Sequence, residues 1–369
     1  GMLVLLALGG ITFVVWVTMV GVSFLDQEPV ASLRMSVKRN EPAVRDGEGE
    51  QGYGIREYSR RREEIMVREP GASGGRRWSI VLASEDGVGM RPAFRPWRGR
   101  NVSGPYRRVI ESRSMFQHTL DRTMQVTSPA RTVVVVTRDH REAWAQIGPR
   151  DPGMVLVQPR NLGTASGVFL SLTYIRARDP EGTALISLSG PIASPEERYL
   201  REALYAVRAA EQLPTKLVLL ASRPEGPHTE YGWIVPDHQL LSFGSRSIRA
   251  VKAFIERPEP PLAQLAYTSG ALWNRFVMAG KVDAFWNVGR KVLPNMMVLF
   301  ERLTEAIDTP KEAEVLRTMY ARMPYLSFSR DLLEHAPGET AMMEVSGLRW
   351  NGRERLRADG PDAASAVQR

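Results

Sequence analysis

The 369-residue chain has no cysteine, which excludes a disulfide framework and any thiolate zinc site. Histidine is scarce as well. The five histidines (118, 140, 228, 238 and 335) are scattered without an HExxH or comparable ligand spacing, so no structural metal site is expected. They also follow no Ser/His/Asp triad order, which leaves nucleophilic hydrolysis without support. Acids are outnumbered, 41 against 49 lysines and arginines, giving a formal net charge of +8. Much of the excess lies in "RPAFRPWRGRNVSGPYRR" (91–108), which has six arginines and no acid. Phe94, Trp97 and Tyr106 are interleaved there, so the segment reads either as a phosphate- or base-gripping stretch or as a solvated loop. Nothing else forms a nucleic-acid module, and no nucleic-acid partner is expected.

Charge itself is missing from residues 2–25, "MLVLLALGGITFVVWVTMVGVSFL". As a helix this stretch would extend roughly 36 Å, enough for a hydrocarbon core of about 30 Å. Segment 1–25 is therefore expected to be one transmembrane helix. Arg34, Lys38 and Arg39 then place the remainder on the cytoplasmic face of the inner membrane. If the natural chain starts at Met66, the domain alone is cytoplasmic. Residues 26–76 read as a polar linker, and 359–369 as a flexible tail.

From Trp78 the pattern changes. "WSIVLA", "RTVVVVT", "MVLVQP", "ALISLS" and "KLVLLAS" are strand-like runs. Between them lie "SMFQHTLDRTMQV", "TASGVFLSLTYIRAR" and "SPEERYLREALYAVRAAEQL", which read as helices. Val/Ile/Leu-rich strands alternating with helices predict an α/β domain, 77–358, with a mainly parallel sheet covered on both faces. Ser194 with Glu197 predicts a capping box opening the third of these helices. "YGWIVP" and "IRAVKAFIERP" read as a strand excursion, helices follow around 284–306 and 311–323, and "TAMMEVSGLRW" closes the domain. Any ligand of such a sheet belongs at the carboxyl ends of its strands, beside "LASEDGVGMRP" (82–92).

The order of these segments resembles the sugar-1-phosphate nucleotidylyltransferases, most closely the mannose-1-phosphate guanylyltransferases. "RSMFQHTLDR" (113–122), "RTVVVVTRDH" (131–140), "VLVQPRNLGTASGV" (155–168), "PHTEYGWI" (227–234), "AFIERP" (253–258), "GALWNRFVM" (270–278) and "FSRDLLE" (328–334) occur in family order. The resemblance implies a Rossmann-like, three-layer, glycosyltransferase-A-like fold. It also implies the joining of a sugar-1-phosphate to a nucleoside triphosphate with release of pyrophosphate. In that reaction Mg²⁺ and cationic side chains neutralise the charge that develops. Carried over by position, it puts nucleotide contacts at Leu82, Ala83, Ser84, Gly87, Arg91, Asn161 and Thr164. Sugar-phosphate contacts fall on Tyr231, Gly232, Glu256, Arg257 and Asn274, and a metal carboxylate on Asp331. Asp331 reads equally as an acid at the start of a helix over Leu332–Glu334.

The same alignment exposes losses. The family's L-A-G-G-x-G-T-R-L-x-P loop has Ser84 and Glu85 for its paired glycines, and its arginine falls on Gly89. Glu85 and Asp86 stand where a triphosphate needs bare backbone N–H groups. The lysine of P-K-Q-F/Y falls on Gly104, and the P-x-D-H aspartate and histidine on Gly190 and Pro191. Glu230 replaces a glycine, Arg257 a lysine, and Arg275 the serine of the "LWNR" segment. Loss of one preorganised charge stabiliser costs about 2.7–4 kcal/mol of barrier. The expectation is therefore a family member impaired in catalysis, acting through residual nucleotide or nucleotide-sugar binding or as a partner subunit. Two alternatives stay open. One is an active enzyme making GDP-mannose or a related nucleotide sugar with Mg²⁺ and a rearranged site. The other is a membrane-tethered scaffold without ligand. GTP or a nucleotide sugar, the membrane through residues 2–25, and a second copy or a catalytic subunit are the partners considered.

Overall fold

The computed structural model describes residues 2–8, 11–17, 76–83, 108–110, 113–138, 146–147, 151–189, 192–244 and 246–351. The chain divides into two units, 1–58 and 59–369.

In the first unit, β1 (Met2–Leu8) and β2 (Ile11–Val17) pair antiparallel, from Leu8 against Ile11 to Met2 against Val17. This corrects the expectation of one helix through this stretch. No helix among the described residues is long and apolar enough to cross a membrane. The cause is legible afterwards. Gly9-Gly10 stands between the two runs, a typical two-residue hairpin connection, and β2 is built of Ile, Thr, Phe, Val and Trp, all strand formers.

In the second unit, β3 (Arg77–Leu82), β6 (Thr132–Thr137), β7 (Met154–Gln158) and β8 (Thr183–Leu188) form the parallel half of a sheet in the order β7-β6-β3-β8. Two short strands, β4 (Arg108–Ile110) and β5 (Arg113–Ser114), pair separately with each other. β6 and β8 are buried at every position, which is why they read as continuous apolar runs rather than alternating ones. The expected parallel strands are present in this half, and the pairing turns antiparallel where β13 (Leu272–Lys281) joins β8, so the sheet as a whole is mixed. β13 also pairs with β10 (Leu217–Ser222) and with the start of β11 (Gly232–Phe243). β11 forms a hairpin with β12 (Arg246–Glu256), β12 meets β14 (Thr340–Glu344), and β14 runs parallel to β10. These five strands thus close a ring, β10-β14-β12-β11-β13. β9 (Ile192–Ser194) pairs separately with β15 (Arg349–Asn351).

Helices cover both faces. α1 (Met115–Val126) and α3 (Glu196–Gln212) pack on the side of Val81, Val134 and Leu185. α2 (Thr164–Arg178), α5 (Val282–Val292) and α6 (Pro294–Ala306) pack on the side of Ile80, Val135 and Ile186. α4 (Pro260–Thr268) and α7 (Glu312–Arg322) complete the set. Phe169 anchors the larger core, its ring 6.0–6.5 Å from those of Trp286, Phe300 and Phe328. Each such side chain contributes roughly 1.5–3 kcal/mol by leaving water.

The capping prediction needs correction. Ser194 lies in β9, paired with Arg349, and α3 begins after Pro195 with no side-chain cap. A capping box does form at α1, where Ser114 Oγ accepts from Gln117 N (3.1 Å) and Gln117 Oε1 accepts from Ser114 N (3.0 Å).

Candidate functional site

In the order β7-β6-β3-β8 the chain steps outward from β3 to β6 and β7, then returns to place β8 on the other side of β3. That reversal is the switch point where an open α/β sheet leaves a crevice at its strand ends. Leu82 and Ala83 lie there, both buried. Ala83 N donates to Val135 O (2.8 Å) and Ser189 N to Leu82 O (2.9 Å), so the strands stay clamped to their last residues. Ser84, Gly87 and Arg91, like Gly190 and Pro191, lie outside the described residues.

Asn161 and Thr164 flank the first turn of α2. Asn161 Oδ1 accepts from Gly163 N (3.0 Å), and Thr164 Oγ1 accepts from Phe328 N (2.8 Å). Ala165 N donates to Leu326 O (3.1 Å). Gly163 has φ of +87°, and a Cβ there would sit 2.2 Å from Leu326 O, so only glycine lets the two segments meet this closely. The 326–328 segment thereby takes up one donor at this helix start, Ala165 N, that an anion would otherwise meet. Gln158, in the "QP" of the family-like segment, is buried and accepts from Ser166 Oγ (2.8 Å) and the Tyr320 hydroxyl (3.1 Å).

The sugar-phosphate candidates do come together. Gly232 pairs with Glu256 in the β11–β12 register, and Arg257 N donates to Tyr231 O (3.1 Å). A Cβ on Gly232 would lie 2.6 Å from Glu256 Oε2 and 3.0 Å from the Phe254 ring, so the carboxyl approaches bare backbone. Glu256 is largely buried, with Arg257 Nε 3.5 Å from its Oε1. Its backbone N–H donates to the Glu334 carboxylate. Burial pushes the Glu256 carboxyl up to about 7 against the opposing pull of Arg257; Glu334 adds to the rise, while Arg330 and the Ser329 hydroxyl lower it. Asn274 lies on β13 opposite Ala221, its Oδ1 accepting from Phe276 N (3.1 Å). Asp331 is turned to a local task, Oδ2 accepting from Ser327 N at 2.6 Å.

Arg275 changes the character of this end of the sheet. Its Nε donates to Ser222 Oγ (2.6 Å), and its guanidinium lies 5.4 Å from the Tyr231 ring and 5.2 Å from both Trp273 and Trp350. Tyr231 stacks on Trp273 with centroids 4.4 Å apart. Sequence reasoning missed Trp273, Trp350, Ser222, Arg330 and Glu334. Trp273 and Arg275, two apart on one strand and so on one face, were a usable signal; Trp350 and Ser222 come from distant elements and left none.

The magnesium that the resemblance implies does not fit these donors. One of its two carboxylate positions is Gly190, which leaves Asp331 alone, with one of its two oxygens already accepting from Ser327 N. Among the described residues no group of three or more acids or histidines is placed to hold a metal ion.

The second unit is thus a three-layer α/β domain with a polar cluster at its strand ends, where ligands of such sheets bind. The sequence pattern of the nucleotidyl transferase family matches residues 100–309, over half of the chain, and the chain belongs to that family. This bears out the sugar-1-phosphate nucleotidylyltransferase kinship drawn from the motifs. The chain is 25% identical over 220 residues to the xanthan biosynthesis protein XanB of Xanthomonas campestris pv. campestris (strain B100), covering 58% of this chain and 44% of that protein. It thus spans about half the length of the curated relatives it matches. Among solved structures, mannose-1-phosphate geranyltransferase from Thermus thermophilus superposes with a TM-score of 0.62 at 23% identity, over 78% of this chain and 80% of that one. Mannose-6-phosphate isomerase from Helicobacter pylori gives 0.57 at 18%, over 74% and 99%. At these identities the structural likeness establishes the fold.

Proposed function

We propose that this chain is a nucleotidyltransferase-family protein whose phosphoryl-transfer chemistry is impaired and which acts by binding a nucleotide or nucleotide sugar at its strand ends, or as the partner of a catalytic subunit. The observation that carries this reading is the Asp331 carboxylate, held 2.6 Å from Ser327 N while the other metal position is Gly190. An in-line attack at the α-phosphorus builds charge that a metal and cations must neutralise. Two acids in the opening loop, Glu85 and Asp86, work against that. The active-enzyme alternative draws support from one feature, the Glu256–Arg257–Arg330 cluster, which keeps both a carboxyl and cations where a sugar phosphate would lie. A scaffold role without ligand has no comparable support.

Incubating the full chain with GTP, mannose-1-phosphate and Mg²⁺ and measuring pyrophosphate separates these readings. No release above the protein-free rate is expected, together with calorimetric binding of a nucleotide or nucleotide sugar. Release at roughly 1–1,000 per second, the ordinary enzyme range, overturns the proposal. Absence of any nucleotide binding would transfer its weight to the partner-subunit role.

A further inference from the structure

A second polar site borders the Arg275 side of the strand-end cluster, with Arg223 and Leu272 in its lining. A groove of about 620 Å³ opens between the β11–β12 hairpin, the end of β14 and the first turns of α3. It shares no residue with the cluster around Glu256. Arg249 and Glu256, on the same strand, are roughly 20 Å apart at about 3.3 Å per residue.

Four arginines line the groove, and two of them are already neutralised. Arg246 grips Glu202 with two bonds of 2.8 Å, and Arg223 Nε donates to Glu344 at 2.6 Å. The other two have no carboxylate partner among the described residues. Arg249 Nε donates to the backbone carbonyl of Asp237 (2.7 Å), a neutral acceptor. Arg198 Nε is buried and meets no hydrogen-bond acceptor among the described residues. Asp237 is the remaining acid, 3.5 Å from His238 Nδ1.

A cation that lines an open groove without a carboxylate partner among the described residues points to an anion supplied from outside. Gly347, with φ of +68°, lies against this side chain: a Cβ there would be 2.6 Å from Arg198 Nη1. Planar forked donors match phosphoryl oxygens two at a time. The volume falls within the roughly 300–1,000 Å³ typical of small-molecule sites and exceeds what a single phosphate needs.

We propose that this groove is a binding site for a small molecule bearing a diphosphate or comparable phosphoryl group, with Arg198 and Arg249 as its cationic ligands. The test is calorimetric titration of the full chain with inorganic pyrophosphate, without divalent metal. It compares the native protein, Arg198→Gln, Arg249→Gln, the double variant, and Arg290→Gln on α5, a cation that pairs with Glu301 and lines neither site, each checked by circular dichroism and unfolding midpoint. Each groove substitution is expected to weaken binding roughly tenfold or more, the scale of a hydrogen bond to a charged group, while Arg290→Gln leaves it unchanged. Undiminished binding in a folded double variant, or no binding to the folded native chain at millimolar pyrophosphate, overturns the proposal. Succinate binding as tightly as pyrophosphate overturns the phosphoryl assignment.

Discussion

Replacing Glu256 by glutamine should flatten part of the protein's pH dependence of stability. The carboxyl is buried between Phe254, Gly232 and the 328–334 segment, and its folded pKa is about 7 against an ordinary value of 4.5. Between those two pH values the folded state holds a proton that the unfolded chain has released. Unfolding therefore releases a proton, and raising the pH favours unfolding. Stability from this group is complete below about pH 4.5, falls through the window and levels off above about pH 7. A difference of this size corresponds to about 3 kcal/mol. Glutamine stays neutral throughout, while Arg257, Arg330 and Glu334 are present in both proteins. Urea unfolding of the native chain and Glu256→Gln at several values from about pH 4.5 to about pH 8 should show the variant gaining relative stability as pH rises. Parallel curves would mean that Glu256 is ionised in the fold and that solvent reaches it.

Two further substitutions probe the packing. Gly289→Ala puts a methyl 2.5 Å from Phe169 Cζ and 2.8 Å from Met297 Sδ; overpacking costs about 1–3 kcal/mol and outweighs the roughly 1 kcal/mol gained in helix propensity. A lowered urea midpoint is expected, and an unchanged one would show that the Phe169 ring yields freely. Ser114→Ala removes the capping box of α1 and should cost about 1 kcal/mol, read as a drop in melting temperature with the fold retained by circular dichroism.

Where the sequence carried a periodic signal, the structure follows it closely. "TASGVFLSLTYIRAR" is α2 residue for residue, and "RTVVVVT" contains all of β6, because buried elements stay apolar apart from hydroxyls that bond locally, as Ser171 and Thr173 do to carbonyls one turn back. α4 went unread for the opposite reason: it is short, begins with two prolines, and leaves Leu262, Leu265 and Tyr267 exposed, so no apolar face marks it. The caps were misassigned because Ser-x-x-Glu and Ser-x-x-Gln look alike in one dimension. Both serines lie in short ladders, and the helix start decided the matter: Ser114 is the residue just before α1, whereas Pro195 separates Ser194 from α3. The site was legible in pieces. Tyr231–Gly232 and Glu256–Arg257 stood out as motifs, but the contact of Glu334 with Glu256 joins residues far apart in sequence, which no local pattern encodes.

The arginine on β13 shows how a fold can persist while its site changes. The strands around it are fixed by what packs on their faces: Leu272, Met278 and Ala279 are all buried, and a polar substitution there would leave an unsatisfied group in the core. The strand ends carry no such constraint. A serine could become Arg275 because its guanidinium reaches past the core to Ser222 and settles among three rings. Each cation–π contact at a partly exposed site is worth roughly 0.5–2 kcal/mol, so the cation is held rather than swinging free. A cation fixed over Tyr231 attracts anionic groups and occupies space that a serine would leave to a neutral sugar ring. The same substitution therefore stabilises this end of the sheet and alters what can bind there. Firm packing and a changed site are consistent outcomes of one side chain's length and charge.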